Sequence, residues 1–483
     1  MREADRRTIE LGIPGLILME NAACRVVEFL VERFSPLEAQ RIVIVCGKGN
    51  NGGDGLAIAR QLVTRFKTRS LDVFLAVPPE ELQGDAAENY RMFVAAGGRF
   101  AGELEVRMGA ATLVIDALLG TGLRGEPGGV YASWIRTMNT AFPEAKIVAV
   151  DIPSGLGAAS ECVRANHTVT FTAPKVSMVL SPACEAVGEL IVGPIGTSAA
   201  VLASAQVNLT TEADIAAVNV ARDRDGHKGL YGHVLVVGGG PGKTGAAAMT
   251  GLAALRVGAG LVTVAASDHA GFAPELMSAR LEHGGEPIPD GRGSKGVLPL
   301  ERKTVVAIGP GLGTDPADVQ MVRDLVRTAD IPVVIDADAI TALAGVEEPW
   351  PATSKPRILT PHPGEMARLA PLTADRIATA RSYSVKHFCC VVLKGNRTVI
   401  AFPDGEVWIN PTGSPAMAKA GSGDILTGLI AGLVAQFPTN WRTAVCAAVY
   451  WHGRAGERAA AALGEKHVLA TDLLDFTRIE FRG

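Results

Sequence analysis

Three polar segments in the N-terminal part of the chain, each directly after a short apolar run, hold residue types that bind anions or move protons. The first is Gly47, Lys48, Gly49, Asn50, Asn51, Gly52, Gly53, Asp54 and Gly55, ahead of an Ala/Ile/Leu-rich stretch at 56–63 that reads as a helix. Glycine lets backbone N–H groups approach a phosphate closely, and a helix N-terminus adds partial positive charge where those groups converge. The spacing is neither G-x-G-x-x-G nor a Walker A loop, and the glycines alone would equally suit a plain strand-to-helix connector. Two asparagines and an aspartate in the same segment tilt the reading towards binding. The second segment is Asp116, Ala117, Leu118, Leu119, Gly120, Thr121 and Gly122, and the third is Asp151, Ile152, Pro153, Ser154 and Gly155. A lone Asp in such a place is as readily a helix cap. Ligands of open α/β sheets bind outside the carboxyl ends of the strands, however, so three such loops can share one crevice.

The C-terminal part carries a second constellation. After the apolar run 233–237 come Gly238, Gly239, Gly240, Pro241, Gly242, Lys243 and Thr244. A P-loop would need its first glycine at Val237, so only the tail of that motif is present and the reading fails. Further on, Ala420, Gly421, Ser422, Gly423 and Asp424 open an apolar helix expected at 425–434. Its N–H groups and dipole would stabilise the charge that develops on a transferring phosphoryl group, and Asp424 could accept a hydroxyl proton. An acid in the first turn is also what any helix dipole favours. What supports chemistry is the company it keeps: GPGLG at 309–313, DAD at 336–338, TPHPGE at 360–365 and KGNRT at 394–398, each at or just beyond an expected strand end. His269, His387 and His467 show no metal-ligand spacing and receive no role.

These loops need strands to hold them. Runs at 41–46, 71–77, 112–116 and 146–151 are separated by segments long enough for helices, and their near-continuous hydrophobicity predicts strands covered on both faces of a largely parallel sheet. A second series at 233–237, 261–265, 304–308, 332–336, 357–359 and 390–394 predicts a second sheet. A chain of 483 residues exceeds what one core supports. Two α/β domains are therefore expected, 1–205 and 215–483, the first doubly wound and Rossmann-like. The boundary is placed in the small-residue, proline-bearing stretch 193–222, where 211–218 reads as one short acidic helix.

Composition agrees with this: 48% hydrophobic, 20% charged and 5% aromatic residues with 55 glycines suit Gly-rich turns joining buried strands to Ala-rich helices. A net charge of -4 without any long Lys/Arg block offers no electrostatic footprint for nucleic acid or an anionic membrane. The seven cysteines, odd in number and without C-x-x-C spacing, read as reduced, buried packing residues. The opening Met1, Arg2, Glu3, Ala4 and Asp5 is charged where a signal peptide would be apolar, and no apolar run reaches membrane-spanning length. A soluble, cytoplasmic protein is expected.

The segments GKGNNGGDG, DALLGTG and VDIPSG, with LMENA at 18–22 and TVTFTAPK at 168–175, resemble the NAD(P)H-hydrate epimerase family over residues 1–200. The resemblance implies that Asn50, Asn51, Gly52, Gly53 and Asp54, together with Gly120, Thr121, Gly122, Leu123, Arg124, Gly125 and Glu126, hold the substrate. It also implies that Asp151 contacts that substrate as acid/base and that Asn51, Asp116 and Ser154 coordinate potassium. Oxygen ligands are what a hard monovalent cation needs.

The C-terminal constellation resembles the ribokinase-like fold and, within it, the NAD(P)H-hydrate dehydratases, with HKGLYG at 227–232 and residues 245–247 extending the likeness over about 220–480. Sugar kinases of that fold usually show Asn-x-x-Glu where this chain has His362 and Glu365, a departure that favours the dehydratase branch. The resemblance implies that Ala246, Gly311, His362 and Asp424 touch the hydrated nicotinamide nucleotide. Lys394, Gly395, Asn396, Arg397, Thr398 and Gly423 would hold ADP or ATP, with ADP favoured, and Glu365 would orient magnesium through water. The implied partners are NAD(P)H hydrates and an adenine nucleotide, in a homo-oligomer. Two other readings stay open at this point, because fold and phosphate loops define neither acceptor nor turnover. One is a kinase for a small alcohol or vitamin precursor. The other makes the first domain a non-catalytic ligand- or protein-binding module.

Overall fold

Ile42, Ile44 and Cys46 face one side of the strand β1 (Arg41–Cys46), Val43 and Val45 face the other, and all five are at most 2% exposed. A strand apolar on both faces must be covered on both, which is the condition for a doubly wound sheet. The computed structural model describes residues 2–102, 104, 110–123, 125–158, 161–269, 271–281, 298–351 and 355–477. The chain divides into two units, Met1–Ala205 and Gln206–Gly483.

The first unit holds a six-stranded sheet in the order β2-β1-β3-β4-β5-β6, with every neighbouring pair parallel. The other strands are β2 (Ser70–Leu75), β3 (Leu113–Ala117), β4 (Lys146–Val150), β5 (His167–Phe171) and β6 (Glu189–Gly193). Strand order reverses between β1 and β3, so a crevice opens at their carboxyl ends. Of the segment read as a glycine-rich loop, residues 47–49 form the turn after β1, and residues 50–55 are already the first turns of the helix Asn50–Arg65. Small side chains let that helix press onto the sheet: a Cβ on Gly52 would lie 1.8 Å from the Gly47 carbonyl oxygen, and one on Gly55 would lie 2.6 Å from the Ala117 Cβ.

The second unit holds a ten-stranded sheet in the order β10-β9-β8-β11-β12-β13-β14-β15-β16-β7. Its strands are β7 (Val207–Leu209), β8 (His233–Val237), β9 (Leu261–Ala266), β10 (Met277–Arg280), β11 (Val305–Ile308), β12 (Val333–Ile335), β13 (Arg357–Leu359), β14 (Cys390–Leu393), β15 (Val399–Ala401) and β16 (Val407–Ile409). From β10 to β14 the pairing is parallel, and β14, β15 and β16 form an antiparallel meander. β7 closes the edge by pairing parallel with β16, so part of the expected linker belongs to the second sheet. The expected acidic helix at 211–218 is replaced by turns and a 3-10 helix at Ala216–Val218, because the Asp214 side chain accepts bonds from the Thr211 N–H and hydroxyl, closing a local turn. All seven cysteines are free, but Cys24 and Cys162 are only half-buried, unlike the other five. Among the described residues no helix is long and apolar enough to cross a membrane.

Two helices of this unit cross in close contact, Thr244–Arg256 and Ser422–Gln436. A Cβ on Gly428 would lie 2.1 Å from the Thr250 carbonyl oxygen, and one on Gly432 would lie 2.7 Å from that of Ala254. Glycines four residues apart thus make a notch on one face of the second helix. The Thr250 hydroxyl donates to the Asp424 carbonyl at 3.1 Å, which ties the notch to the helix start. Replacing Gly428 with Ala is expected to destabilise the second unit by about 1–3 kcal/mol, through overpacking against backbone that cannot swing aside. Thermal unfolding of the variant against the parent checks this; an unchanged transition would mean that the helices separate freely.

Candidate functional site

In the first unit, the ends of β1, β3 and β4 meet around a cavity of about 660 Å³. Asn50, Asn51 and Asp54 line it from the helix Asn50–Arg65, and Gly120, Thr121, Gly122, Leu123 and Glu126 from the segment after β3. Asp151 lines it from the end of β4. Gly52 and Gly53 point elsewhere, Gly52 at the Gly47 carbonyl and Gly53 at the Met19 sulfur, where a Cβ would come within 2.7 Å. Gly125 adopts a φ of 77° in the turn, and Arg124 lies outside the described residues.

Beside this cavity, Asp116 and Ser154 are fully buried and bonded to each other. The Ser154 hydroxyl donates to Asp116 Oδ1 at 2.5 Å and its N–H donates to Oδ2 at 2.8 Å. Burial pushes the Asp116 carboxyl up to about 6, against the pull of the Ser154 and Leu118 hydrogen bonds. Asn51 donates through Nδ2 to the Leu119 carbonyl at 3.0 Å, while its buried Oδ1 has no partner. Asn51 Oδ1, the Asp116 carboxylate, the Ser154 hydroxyl and the Leu119 carbonyl thus form a set of oxygen atoms with one acceptor left over.

A second acidic group occupies the cavity wall. Asp54 is 9% exposed, and its carboxyl is held well above the ordinary range, first by burial and then by the charges of Asp151 and Asp5. Asp5, on the helix Arg2–Glu10, is raised for the same two reasons, burial first and then Asp151. Asp151 itself adopts a φ of 63°, uncommon for a residue with a side chain, and forms an ion pair with Lys175. The sequence alone gives neither Asp5 nor Lys175 a role: Lys175 lies in the TVTFTAPK segment, and Asp5 sits in a stretch so charged that nothing marks it out.

In the second unit, Lys394 at the end of β14 is seated between acids. Its ammonium donates to Asp336 Oδ1 at 2.9 Å and lies 3.8 Å from Glu365 Oε2. Burial works against its charge, but Asp336, Glu365 and Asp424 together hold the ammonium above its usual value. The other Asp336 oxygen accepts the Thr427 hydroxyl at 2.7 Å, so the helix Ser422–Gln436 is pinned to the end of β12. Gly423 passes closest, where a Cβ would lie 3.3 Å from Lys394 Nζ. Asp424 is half-buried in the first turn of this helix, pushed up to about 6 by burial and by the nearby Asp336 carboxylate, with Lys394 opposing. The sequence marks the DAD segment but gives neither Asp336 nor Thr427 a role, because their contact joins residues 91 apart in the chain.

The other expected residues divide. His362 caps the helix Pro363–Leu369, its Nδ1 accepting from Gly364 and Glu365 while the Glu365 carboxylate accepts the His362 N–H at 2.8 Å. Glu365 is thus a capping acid as well as a neighbour of Lys394. Gly311, at φ 63°, packs beside residue 246, where a Cβ would lie 3.4 Å from that of Ala246. In the turn after β14, Arg376 donates to the Asn396 carbonyl at 2.7 Å and crowds Gly395, where a Cβ would lie 2.9 Å from its nitrogen. Arg397 donates to the Pro411 carbonyl at 2.6 Å and Thr398 to that of Gly395 at 3.1 Å. These bonds shape the turn from within and leave Lys394 and Gly423 as the members that meet Asp424.

Two family models match the chain: one described as NAD(P)H-hydrate dehydratase over residues 234–478, and one described as YjeF-related protein N-terminus over residues 15–177. The bifunctional NAD(P)H-hydrate repair enzyme of Moorella thermoacetica is 43% identical over 510 residues, spanning 99% of this chain and 94% of that protein. The Coxiella burnetii protein of the same description is 37% identical over 496 residues, spanning 99% and 97%. A crystal structure of the ADP/ATP-dependent NAD(P)H-hydrate dehydratase from Bacillus subtilis, co-crystallised with ATP and Mg2+, is 35% identical with a TM-score of 0.48, over 57% of this chain and 97% of that one.

The lock on Lys394 is testable without any ligand. Asp336→Ala leaves a buried ammonium without its closest partner and is expected to cost about 3–5 kcal/mol, measured by denaturant unfolding. Asp336→Asn, which keeps an acceptor for Thr427, should cost less; equal losses in the two variants would show that charge is irrelevant there.

Proposed function

The chain belongs to the family of bifunctional NAD(P)H-hydrate repair enzymes, and from that membership we propose how its two sites divide the work. The first unit epimerises the hydrates of NADH and NADPH, and the second dehydrates the S epimer back to NAD(P)H. The observation that carries this division is that each unit holds its own half-buried or buried carboxylate beside a lysine at strand ends, Asp151 with Lys175 and Asp424 near Lys394.

Elementary chemistry states the problem. Water adds across the enamine double bond of a dihydronicotinamide so that the hydroxyl lands on the carbon next to the ring nitrogen. That hydroxyl is a poor leaving group at neutral pH. In the second unit Asp424 accepts the hydroxyl proton as the oxygen takes a phosphoryl group from an adenine nucleotide. The N–H groups opening the helix Ser422–Gln436 and the Lys394 ammonium offset the charge on that group. Phosphate then leaves with the C–O electron pair, a proton is lost from the adjacent carbon, and the double bond is restored. A stereospecific pocket handles one epimer. An epimerase on the same chain lets both epimers drain through it: Asp151 takes the hydroxyl proton as the ring C–N bond opens to an aldehyde, the electron pair and a proton going to nitrogen, and the reverse steps close the ring on the other face.

Two ions fit the residues present. The unpartnered Asn51 Oδ1, with Asp116, Ser154 and the Leu119 carbonyl, suits potassium, which would neutralise the buried Asp116 carboxylate and fix the loop after β3. Glu365, 3.8 Å from the Lys394 ammonium that pairs with Asp336, would hold magnesium through water, and the ion would supply further charge neutralisation to the phosphates.

The test incubates the protein with mixed epimers of hydrated NADH, magnesium, potassium and either ADP or ATP, following recovery of reduced-nicotinamide absorbance. Full recovery is expected, with ADP as the better donor; recovery that stops at the S share would make the first unit silent. Nucleotide consumption with other alcohols alone would support a kinase instead. Asp424→Asn should reduce dehydration by about 10²-fold or more and leave epimerisation intact, whereas Asp151→Asn does the reverse. A joint loss in either variant sinks the two-site assignment. Because Asp424 must be ionised to accept a proton, kcat/KM for dehydration should fall as pH drops through about 6. A limb two units away would point to another base.

A further inference from the structure

Lys175 is the least exposed cation of the first cavity: its side chain is 10% exposed, and that of its partner Asp151 is 19% exposed. Its ammonium donates to the Asp151 carboxylate, to the Thr170 hydroxyl at 2.6 Å and to the Phe171 carbonyl at 3.5 Å. Three acceptors for three N–H groups leave the ammonium no rotational freedom. Asp151 is held as firmly, with its N–H on the Val169 carbonyl at 2.8 Å and Oδ1 within 3.4 Å of both Thr170 Oγ1 and the Phe171 N–H. A left-handed backbone at a residue with a side chain persists only where the surroundings over-determine it, and such strain gathers at functional sites.

We infer that Lys175 is a positioning residue for epimerisation, whose ammonium makes the Asp151 carboxylate the fixed proton acceptor of a cavity that two further carboxylates share. The inference rests on the reading of Asp151 as acid/base. Asp5 approaches from the helix Arg2–Glu10 and Asp54 from the helix Asn50–Arg65, and both are disfavoured as anions by burial and by Asp151. Lys175 opposes that effect on each. Arg2, Lys48, Asp85, Glu126 and Tyr131 also face this space; Arg2 is engaged with the Thr121 carbonyl at 2.7 Å. With Lys175 gone, Asp151 loses the cation that favours its charged form, in a cavity it shares with two carboxylates that burial disfavours as anions.

The experiment follows epimer interconversion in the full chain with potassium and without nucleotide, across pH. Lys175→Met is expected to lower kcat at pH 7 by roughly 10- to 100-fold with KM within about threefold, and to move the acidic limb of the profile up by about one unit or more. Lys175→Arg, which keeps the charge, should recover most of the rate. Asp5→Asn, which removes a like charge, should move the limb the other way. Thermal unfolding of each variant against the parent reports whether the first unit is folded, and dehydration of the S epimer, assayed separately with nucleotide, reports on the second. An unmoved limb in Lys175→Met, or a loss confined to KM, overturns the inference. Should Lys175→Met not fold, an unmoved limb in Asp5→Asn overturns it instead. Asp151→Asn separates the two levels: if it remains active the acid/base reading itself fails, whereas if it is inactive and the Lys175 profile is unmoved, only the inference fails.

Discussion

A carboxylate taken out of water tolerates a second carboxylate nearby only if a cation or a proton stands between them. Both sites of this chain are built under that constraint. In the second unit, Asp336, Glu365 and Asp424 converge on Lys394, which keeps its charge despite burial because three acids surround it. In the first, Asp5, Asp54 and Asp151 converge on Lys175, and Asp116 lies deeper beside an unpartnered amide oxygen that suits a metal cation. Remove the cations and the acids are driven towards taking up protons.

That electrostatic arrangement requires backbone brought closer than side chains usually permit. The helix Asn50–Arg65 reaches the sheet because Gly52 and Gly55 lack a Cβ, and the helix Ser422–Gln436 reaches its neighbour because Gly428 and Gly432 do. Helix starts are thereby set at the carboxyl ends of parallel strands, beside the first cavity in one unit and beside Lys394 and Asp336 in the other. The 48% hydrophobic composition serves the same end, since parallel strands buried on both faces leave their ends as the place for polar chemistry. Packing and catalysis are therefore linked through the same few residues. Thr427 is both a core threonine and the clamp on Asp336.

Covalent fusion of the two activities follows from stereochemistry. Dehydration after phosphoryl transfer demands one hydroxyl orientation, because donor, base and leaving group must be aligned. The other epimer would accumulate unless something inverts it. Two units, each with its own sheet, let each pocket be shaped for its own geometry.

Sequence alone determined the parts governed by local periodicity and short motifs: the α/β class, the long central strands, and the loops bearing Asp116, Asp151, Asp336, Lys394 and Asp424. A continuous β-branched run such as 41–46 can only be buried on both faces, so its role is legible without coordinates. Tertiary structure decided everything that depends on pairing across distance. β7 is three residues long and becomes a strand only by lying against β16, some 200 residues later. β15 and β16 are likewise strands by virtue of the antiparallel meander they form with β14. In sequence Gly52 reads as a phosphate-cradling glycine; that it also makes room for the Gly47 carbonyl is legible only in the structure, because the direction of its missing Cβ is a property of the folded helix. Asp5 and Lys175 became visible only when the fold brought residues 5, 54, 151 and 175 around one cavity, since charge coupling acts through space and leaves no spacing in the chain to read.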